Sequence, residues 1–394
     1  MNWTIFFLML PHLKPKCISY FWPELYRGID VLRVISLLIV CVLLIKKKKL
    51  PSLPSVLLGL LESWICFVTL ITRGDIVETC SLAVSVMAIV LLVDLYSDQM
   101  GQLITSLTLN YEWIVYANLI TVLKDPECGV VLDWGRGLFS VPIYFFGPDN
   151  WFMYLCIPAL CVALLYLRLQ VCEDSSPRKT AKLLRGICLI LACYITVFIC
   201  LPVTTVVAML AFAAVLIAGW IPGVHHCIIF PVVLLGGIAA NLAISVFRVM
   251  ETVPFLKTLI QDVLQKGLTL SGRTGIWDFL QERIGEHLWL GIGTPKGGYE
   301  IIGQFLDHMH NQIFDLLAQG GIPALVLFSA VLVLVGVQLT IQRKVPSAKI
   351  MTAAMAGLLV MCIPEVCRHG SIFLLFPLAY YVSQIESICV RAEL

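Results

Sequence analysis

A guanidinium and a pair of imidazoles stand out in this chain, set in Ser271-Gly272-Arg273-Thr274-Gly275-Ile276-Trp277 and in His308-Met309-His310-Asn311. Arginine grips phosphates through a fork of N–H donors, and histidine exchanges a proton near neutral pH. Beside apolar helices, the two suit transfer chemistry on a phosphate-bearing molecule carried by a lipid. A helix is expected to start at Ser271, whose hydroxyl can cap free amides, and to continue through Trp277, Leu280, Gln281 and Ile284. Arg273 then sits in its first turn, where unpaired N–H groups and the helix dipole also favour an anion.

The residues around these motifs set their frame. Pro254 to Gly267 carries Phe255, Leu256, Leu259, Ile260, Val263 and Leu264 at helical spacing and reads as an amphipathic surface helix. Leu290-Gly291-Ile292-Gly293-Thr294-Pro295-Lys296-Gly297-Gly298 lacks the preceding strand and following Gly-Lys-Ser/Thr of a nucleotide-binding loop, so its glycines read as turns. The histidines lie at the mouth of a long apolar helix beginning at Gln312, and Gly320-Gly321-Ile322-Pro323 is expected to kink that helix and open room for a substrate. Asn311 either binds substrate or caps the helix that follows it. His308 either orients substrate or only flanks the site. Asp307 and Asp315 lie near enough in sequence to hydrogen-bond an imidazole.

Those motifs interrupt a chain built for a bilayer. It is 59% hydrophobic and 13% charged, with a mean hydropathy of +0.93, far from a soluble balance. The net charge of +2 gives no sign of nucleic acid as a partner. The 15 cysteines are scattered through apolar runs and never form Cys-x-x-Cys, so they read as small packing residues. Met1 to Leu10 has neither a basic leader nor a small-residue cleavage site and is read as a retained first span.

Apolar runs of spanning length number about twelve. They lie near residues 3–20, 29–45, 53–72, 77–96, 105–123, 151–168, 187–201, 203–220, 227–245, 312–337, 351–365 and 371–388. Pro11 and Pro15 threaten the first, and Pro202 separates the short seventh and eighth. If the spans alternate, Lys46 to Lys49, the stretch from Arg168 to Arg185, the turn with Arg343, Lys344 and Lys349, and Arg391 all share one side. The positive-inside rule makes that side cytoplasmic. Both termini are then cytoplasmic, and the connections Lys124–Asn150 and Val246–His310 face outward. The division expected is spans one to nine in 1–245, an extracytoplasmic loop bearing the reactive residues in 246–310, and spans ten to twelve in 311–394.

The order of motifs carries a likeness. Gly-Arg-Thr-x-Ile-Trp at 272–277, Leu-Gly-x-Gly at 290–293, His-x-His-Asn at 308–311 and the following Gly-Gly-Ile resemble the C-terminal half of the O-antigen ligase and Wzy-type polysaccharide polymerase superfamily. The likeness is closest to its capsule and exopolysaccharide repeat-unit polymerases. It is best from Ser271 to Phe328, with weaker similarity in Phe145 to Asn150 and Leu10 to Pro15. The resemblance implies an all-α polytopic membrane protein, GT-C-like, with a large, partly helical extracytoplasmic loop between spans nine and ten. It also implies metal-independent inverting transfer of a growing glycan from undecaprenyl diphosphate to a sugar hydroxyl, with no cofactor. His310 would be the general base and Arg273 the group that stabilises the departing diphosphate. A flippase and a chain-length regulator of the same pathway would be partners. The family's ligases also carry an arginine in a Thr-x-Thr-Arg-like context, and Val203-Thr204-Thr205-Val206 has none. The second phosphate contact therefore falls to Arg136 or Arg248 as candidates, and His308 and Asn311 are further candidates for holding substrate.

Two other readings remain. A ligase would pass finished glycan to another acceptor. A lipid-linked oligosaccharide flippase would use Glu62 and Glu112, carboxylates near the middle of expected spans where charge is costly. Against transport, the halves show no internal repeat, and a transporter has no use for a long polar loop ending in His-x-His-Asn.

Overall fold

The computed structural model describes residues 2–126, 129–133, 138–172, 179–224, 227–258, 273–301, 304–367 and 369–393. Apolar sequence folds here as helix because a helix satisfies its own backbone where no water can. The helices are α1 Trp3–Met9, α2 Cys17–Phe21, α3 Pro23–Lys46, α4 Leu53–Ile71, α5 Ile76–Leu95, α6 Met100–Lys124, α7 Met153–Cys172, α8 Lys179–Cys200, α9 Val203–Ala218 and α10 Phe230–Ser245. They continue as α11 Val249–Thr252, α12 Pro254–Thr258, α13 Arg273–Glu286, α14 Gln312–Ile341, α15 Pro346–Met361, α16 Gly370–Phe373, α17 Leu375–Tyr380 and α18 Val382–Glu393. Polar caps start several of them. Asn2, Ser52, Asp75 and Asn311 each accept a hydrogen bond from an amide in the first turn of the helix they precede.

Six of these helices, α3, α4, α5, α7, α8 and α14, are long and apolar enough to cross a membrane, and the bent α16–α18 segment would make a seventh. Trp3–Leu13, α9, α10 and α15 are apolar but shorter. The expected count of about twelve is thus met in part. Each expected run is helical, but α6 carries Asn110, Glu112 and Asn118 along its length. The first run breaks where its prolines stand. α1 tightens into a 3-10 turn at Leu10–Leu13, and α2 follows only after Pro15.

The core gathers around α7. Of its most apolar stretch 78% is buried, against 22% in the peripheral α3. α15 lies against α7 and α9, and small side chains let it come close: a Cβ on Gly357 would lie 3.0 Å from the Ala208 carbonyl of α9. α14 packs along α4. Its kink falls where Gly320 to Pro323 predicted it, with Gly321 at φ 63° and ψ −160°. The room expected there is taken, however. The Ile322 amide donates to the Leu288 carbonyl at 2.9 Å and the Ile292 amide to the Ala318 carbonyl at 2.7 Å, while the Trp64 indole donates to the Gly320 carbonyl at 2.7 Å. Backbone groups freed by the kink are thus paired with the large connection and with α4 instead of a substrate.

That connection is tied to the helix ends beneath it. The Asp75 amide donates to the Thr294 carbonyl at 2.6 Å, and the Thr294 amide to the Thr69 hydroxyl at 3.1 Å, so it is strapped over the tips of α4 and α5. Gly293 has φ 70°, and a Cβ there would meet Thr72 and Thr69. The amphipathic helix expected over 254–267 is seen as α12 at its start, and the rest lies outside the described residues. α13 begins at Arg273; Ser271, its expected cap, is outside the described residues. Trp277, Leu280, Tyr299, Ile301 and Met309 form a small core of their own with Phe314 and Ala318 of α14. Two antiparallel hairpins, unexpected from the sequence, complete the connections: β1 Gly129–Asp133 with β2 Leu138–Pro142, and β3 Tyr299–Ile301 with β4 Gln304–Leu306.

Candidate active site

Three segments distant in sequence meet at the head of α14: the first residue of α13, the turn between β4 and α14, and the turn between α15 and α16. The middle one is fixed first. Asn311 is fully buried, its carboxamide oxygen accepting from the Ile313 and Phe314 amides at 3.0 and 3.3 Å. Its Nδ2 donates to the Asn241 side chain at 3.1 Å and the Ile363 carbonyl at 3.0 Å. Asn311 is therefore a cap whose polar atoms are committed within the fold. Asp315 accepts from the Met309 amide at 3.2 Å and from Gln319 at 2.7 Å.

These anchors hold His310 at φ 48°, in the left-handed region, a conformation that costs a non-glycine residue about 1–2 kcal/mol. Buried Trp277 helps to sustain it, its indole N–H shared between the Met309 and His310 carbonyls at 3.3 and 3.2 Å. The outcome is a pair of imidazoles, His308 and His310, with ring centroids 4.2 Å apart.

Both rings face Glu365, which the sequence reading missed. Its Oε1 is bound by the Arg273 guanidinium. Its Oε2 lies 3.2 Å from His308 Nε2 and 3.4 Å from His310 Nδ1. The first contact is a hydrogen bond. The second is close enough for charge to act but lacks hydrogen-bond direction, and His310 Nδ1 is a buried atom with no hydrogen-bond partner. Burial would raise the Glu365 carboxyl, but contacts from His308 and His310 and the Arg273 charge outweigh it and hold it well below the ordinary carboxylate range. Burial pushes His310 the other way from protonation: its pKa is lowered, with Glu365 opposing and His308 and Arg273 adding to the shift. A neutral imidazole thus stands beside an ionised carboxylate–guanidinium pair.

The structure therefore brings Arg273, His308 and His310 together. Arg248 stands next door, on the far side of the first turn of α13. It donates to the Thr274 carbonyl at 2.6 Å and pairs with Asp278, and with Glu251 at 3.3 Å. That makes it a clamp on the helix carrying Arg273. Arg136 lies outside the described residues. Asp307 is exposed, with its charge felt by Tyr20. Of the suspect carboxylates in the spans, Glu112 is taken by the Arg185 guanidinium, the Nη2 contact being 2.5 Å. Glu62 is buried in α4, with no ion-pair partner among the described residues.

A signal for Glu365 did exist. It is a carboxylate at the end of an expected apolar span, between Pro364 and Gly370, and the rule that flagged Glu62 and Glu112 applies to it equally. The ligand atoms of His308, His310 and Glu365 also lie within 4.8 Å of one another, an arrangement able to hold a metal ion.

No curated protein matches this chain. Residues 150–329 match the family model Wzy_C, described as O-antigen ligase. The matched segment runs from the head of α7 into α14 and takes in Arg273, His308, His310, Asn311 and the glycine kink, but ends before Glu365. The likeness to the O-antigen ligase and Wzy superfamily, carried in the sequence by short motifs, is thereby shown along residues 150–329 of this helical, membrane-type chain.

Proposed function

We propose that this protein is a membrane glycosyltransferase that polymerises oligosaccharide repeat units carried on undecaprenyl diphosphate into capsular, exopolysaccharide or O-antigen chains. One observation carries the reading: Arg273 and His310, far apart in the chain, meet on the two oxygens of a single buried carboxylate. A phosphate-gripping cation and a neutral base side by side are what a sugar hydroxyl and a lipid diphosphate require.

In the reaction, His310 takes the proton of the acceptor hydroxyl. Its Nδ1 is turned toward Glu365, which leaves Nε2 for the substrate. The hydroxyl oxygen forms a bond to the anomeric carbon as the carbon–oxygen bond to the diphosphate breaks, with inversion. The diphosphate departs with the electron pair, and Arg273 meets the charge that develops there. Neither step calls on a metal ion. Arg248, paired with Asp278 and Glu251, steadies the turn that carries Arg273, and it and Arg136 remain the candidates for the second phosphate contact.

The membrane arrangement follows the same reading. α15 returns from the basic turn at Arg343, Lys344 and Lys349 to the loop bearing Glu365, a rise of roughly 24 Å for its 16 residues. That basic turn and the reactive residues thus lie at opposite ends of α15, and the positive-inside rule, applied to the turn, makes the reactive end extracytoplasmic. Crossings by the shorter helices bring the total to about twelve, with both termini in the cytoplasm. A flippase supplying the substrate and a chain-length regulator are the partners expected.

Purified protein given lipid-diphosphate repeat units in the presence of a chelator should yield a ladder of longer glycans, and His310→Ala or Arg273→Ala should yield none while still inserting into membrane. Full activity in either variant removes the mechanism. Ladder formation that stops on chelation and resumes with magnesium removes its metal independence. Transfer only to a non-repeat acceptor would make the protein a ligase, and movement of the lipid-linked unit across the bilayer without bond formation would make it a flippase.

A further inference from the structure

We infer that His308, His310 and Glu365 form a capture site for a divalent transition metal of the zinc type, and that its occupancy switches transfer off. The inference rests on the proposed function only in its second half. The donor set is two imidazoles and one carboxylate, the mixture zinc takes when it keeps a further position open.

The geometry fits. Ligands about 2.0–2.1 Å from a tetrahedral zinc stand about 3.3–3.4 Å from one another, and Glu365 Oε2 lies 3.2 Å from His308 Nε2 and 3.4 Å from His310 Nδ1. All three ligand atoms are mutually within 4.8 Å, so closing the third edge asks only for a small turn of the imidazoles. His310 Nδ1 is the decisive atom. It is buried, aimed at the cluster, and has no hydrogen-bond partner, so a metal that displaces its hydrogen to Nε2 breaks no hydrogen bond there. The other Glu365 oxygen is held by Arg273, which orients the carboxylate as second contacts of ligating carboxylates do. Trp277 holds the His310 carbonyl from behind. The His308 and His310 side chains retain 21% and 23% exposure against 4% for Glu365, which gives an ion a way in and leaves space for water at a fourth position.

The consequence for transfer follows from electron bookkeeping. An imidazole whose Nδ1 lone pair is given to a metal must carry its own hydrogen on Nε2, and Nε2 then has no lone pair to receive the acceptor's proton. The metal and the hydroxyl proton compete for the same ring. No bond in the substrate is altered by the ion.

The test uses the full-length protein stripped of metal with chelator in detergent. Cobalt(II), which reports a tetrahedral nitrogen and oxygen environment through its visible spectrum, is titrated first, and zinc is then added to displace it. Binding of a single cobalt ion per chain with a tetrahedral spectrum, lost in His308→Ala and in Glu365→Gln and retained in His287→Ala, an exposed histidine of the same connection, is the result expected. Saturating zinc should then lower transfer about a hundredfold, the low end of what a positioned general base supplies, with chelator restoring it. Absence of stoichiometric binding in the native protein, or binding that persists in His308→Ala but disappears in His287→Ala, overturns the site whether or not the protein proves to be a transferase. Stoichiometric binding with transfer unchanged or raised overturns the switch. Loss of chain extension in His310→Ala, measured without metal, tests the transferase reading separately.

Discussion

Two carboxylates of this protein are gripped by arginine, and their surroundings differ. Glu112 and Arg185 face each other between α6 and α8, one acid to one guanidinium. Glu365 serves Arg273 with one oxygen and two imidazoles with the other. The first pair balances its charge and has nothing over. The second gathers more groups than neutrality requires, keeps two of them part-exposed, and rests on a strained turn. Surplus polar groups held at such expense suit the proposed active site, whereas a balanced pair suits the joining of helices.

Mutation can break or sharpen that contrast. The largest effect is expected from His310→Ala and Arg273→Ala, each lowering chain extension by about a hundredfold or more, read from glycan ladders at equal amounts of inserted protein. Next, Glu112→Gln should cost about 1–3 kcal/mol of stability by leaving half-buried Arg185 without its partner, seen as a lower thermal midpoint in detergent. The folded remainder should keep its rate per molecule, and a catalytic deficit there would erase the distinction between the two pairs.

Asn311→Ala should cost about 1 kcal/mol as a lost cap and should also slow transfer, because the αL turn at His310 loses its anchor. Asn311→Ser, which retains an acceptor for the first-turn amides, should recover part of both. The smallest effect is expected from Arg248→Ala: a severalfold fall in rate from loosening the start of α13, and partial recovery with Arg248→Lys. A loss as deep as that of Arg273→Ala would instead make Arg248 a direct diphosphate contact.

Much of this was legible in sequence because helices announce themselves locally. Apolar runs, the kink at Gly320 to Pro323, and the start of α13 near Arg273 follow from side-chain type and spacing alone. The meeting of Arg273 with His310 was readable only through motif order, and Asn311 offered two equally local roles, of which its four hydrogen bonds display the cap. Glu365 escaped because its significance is entirely tertiary: nothing beside it in the chain resembles a site, and its partners arrive from α13 and the β4–α14 turn. The filled kink was hidden for the same reason. A freed carbonyl can be satisfied by substrate, water or another loop, and sequence spacing does not say which.

That filled kink bears on how the protein can be built. The connection bearing Arg273 and His308 lends amides and carbonyls to α14 around Gly321, and its small core borrows Phe314 and Ala318 from the same helix. Expressed alone, residues 246–310 would lack Phe314 and Ala318 from their interior and the partners of Leu288 and Ile292, so the fragment should emerge as an unfolded peptide. Selection acting on the loop is then bound to selection acting on the span, and the two can diverge among relatives only in step.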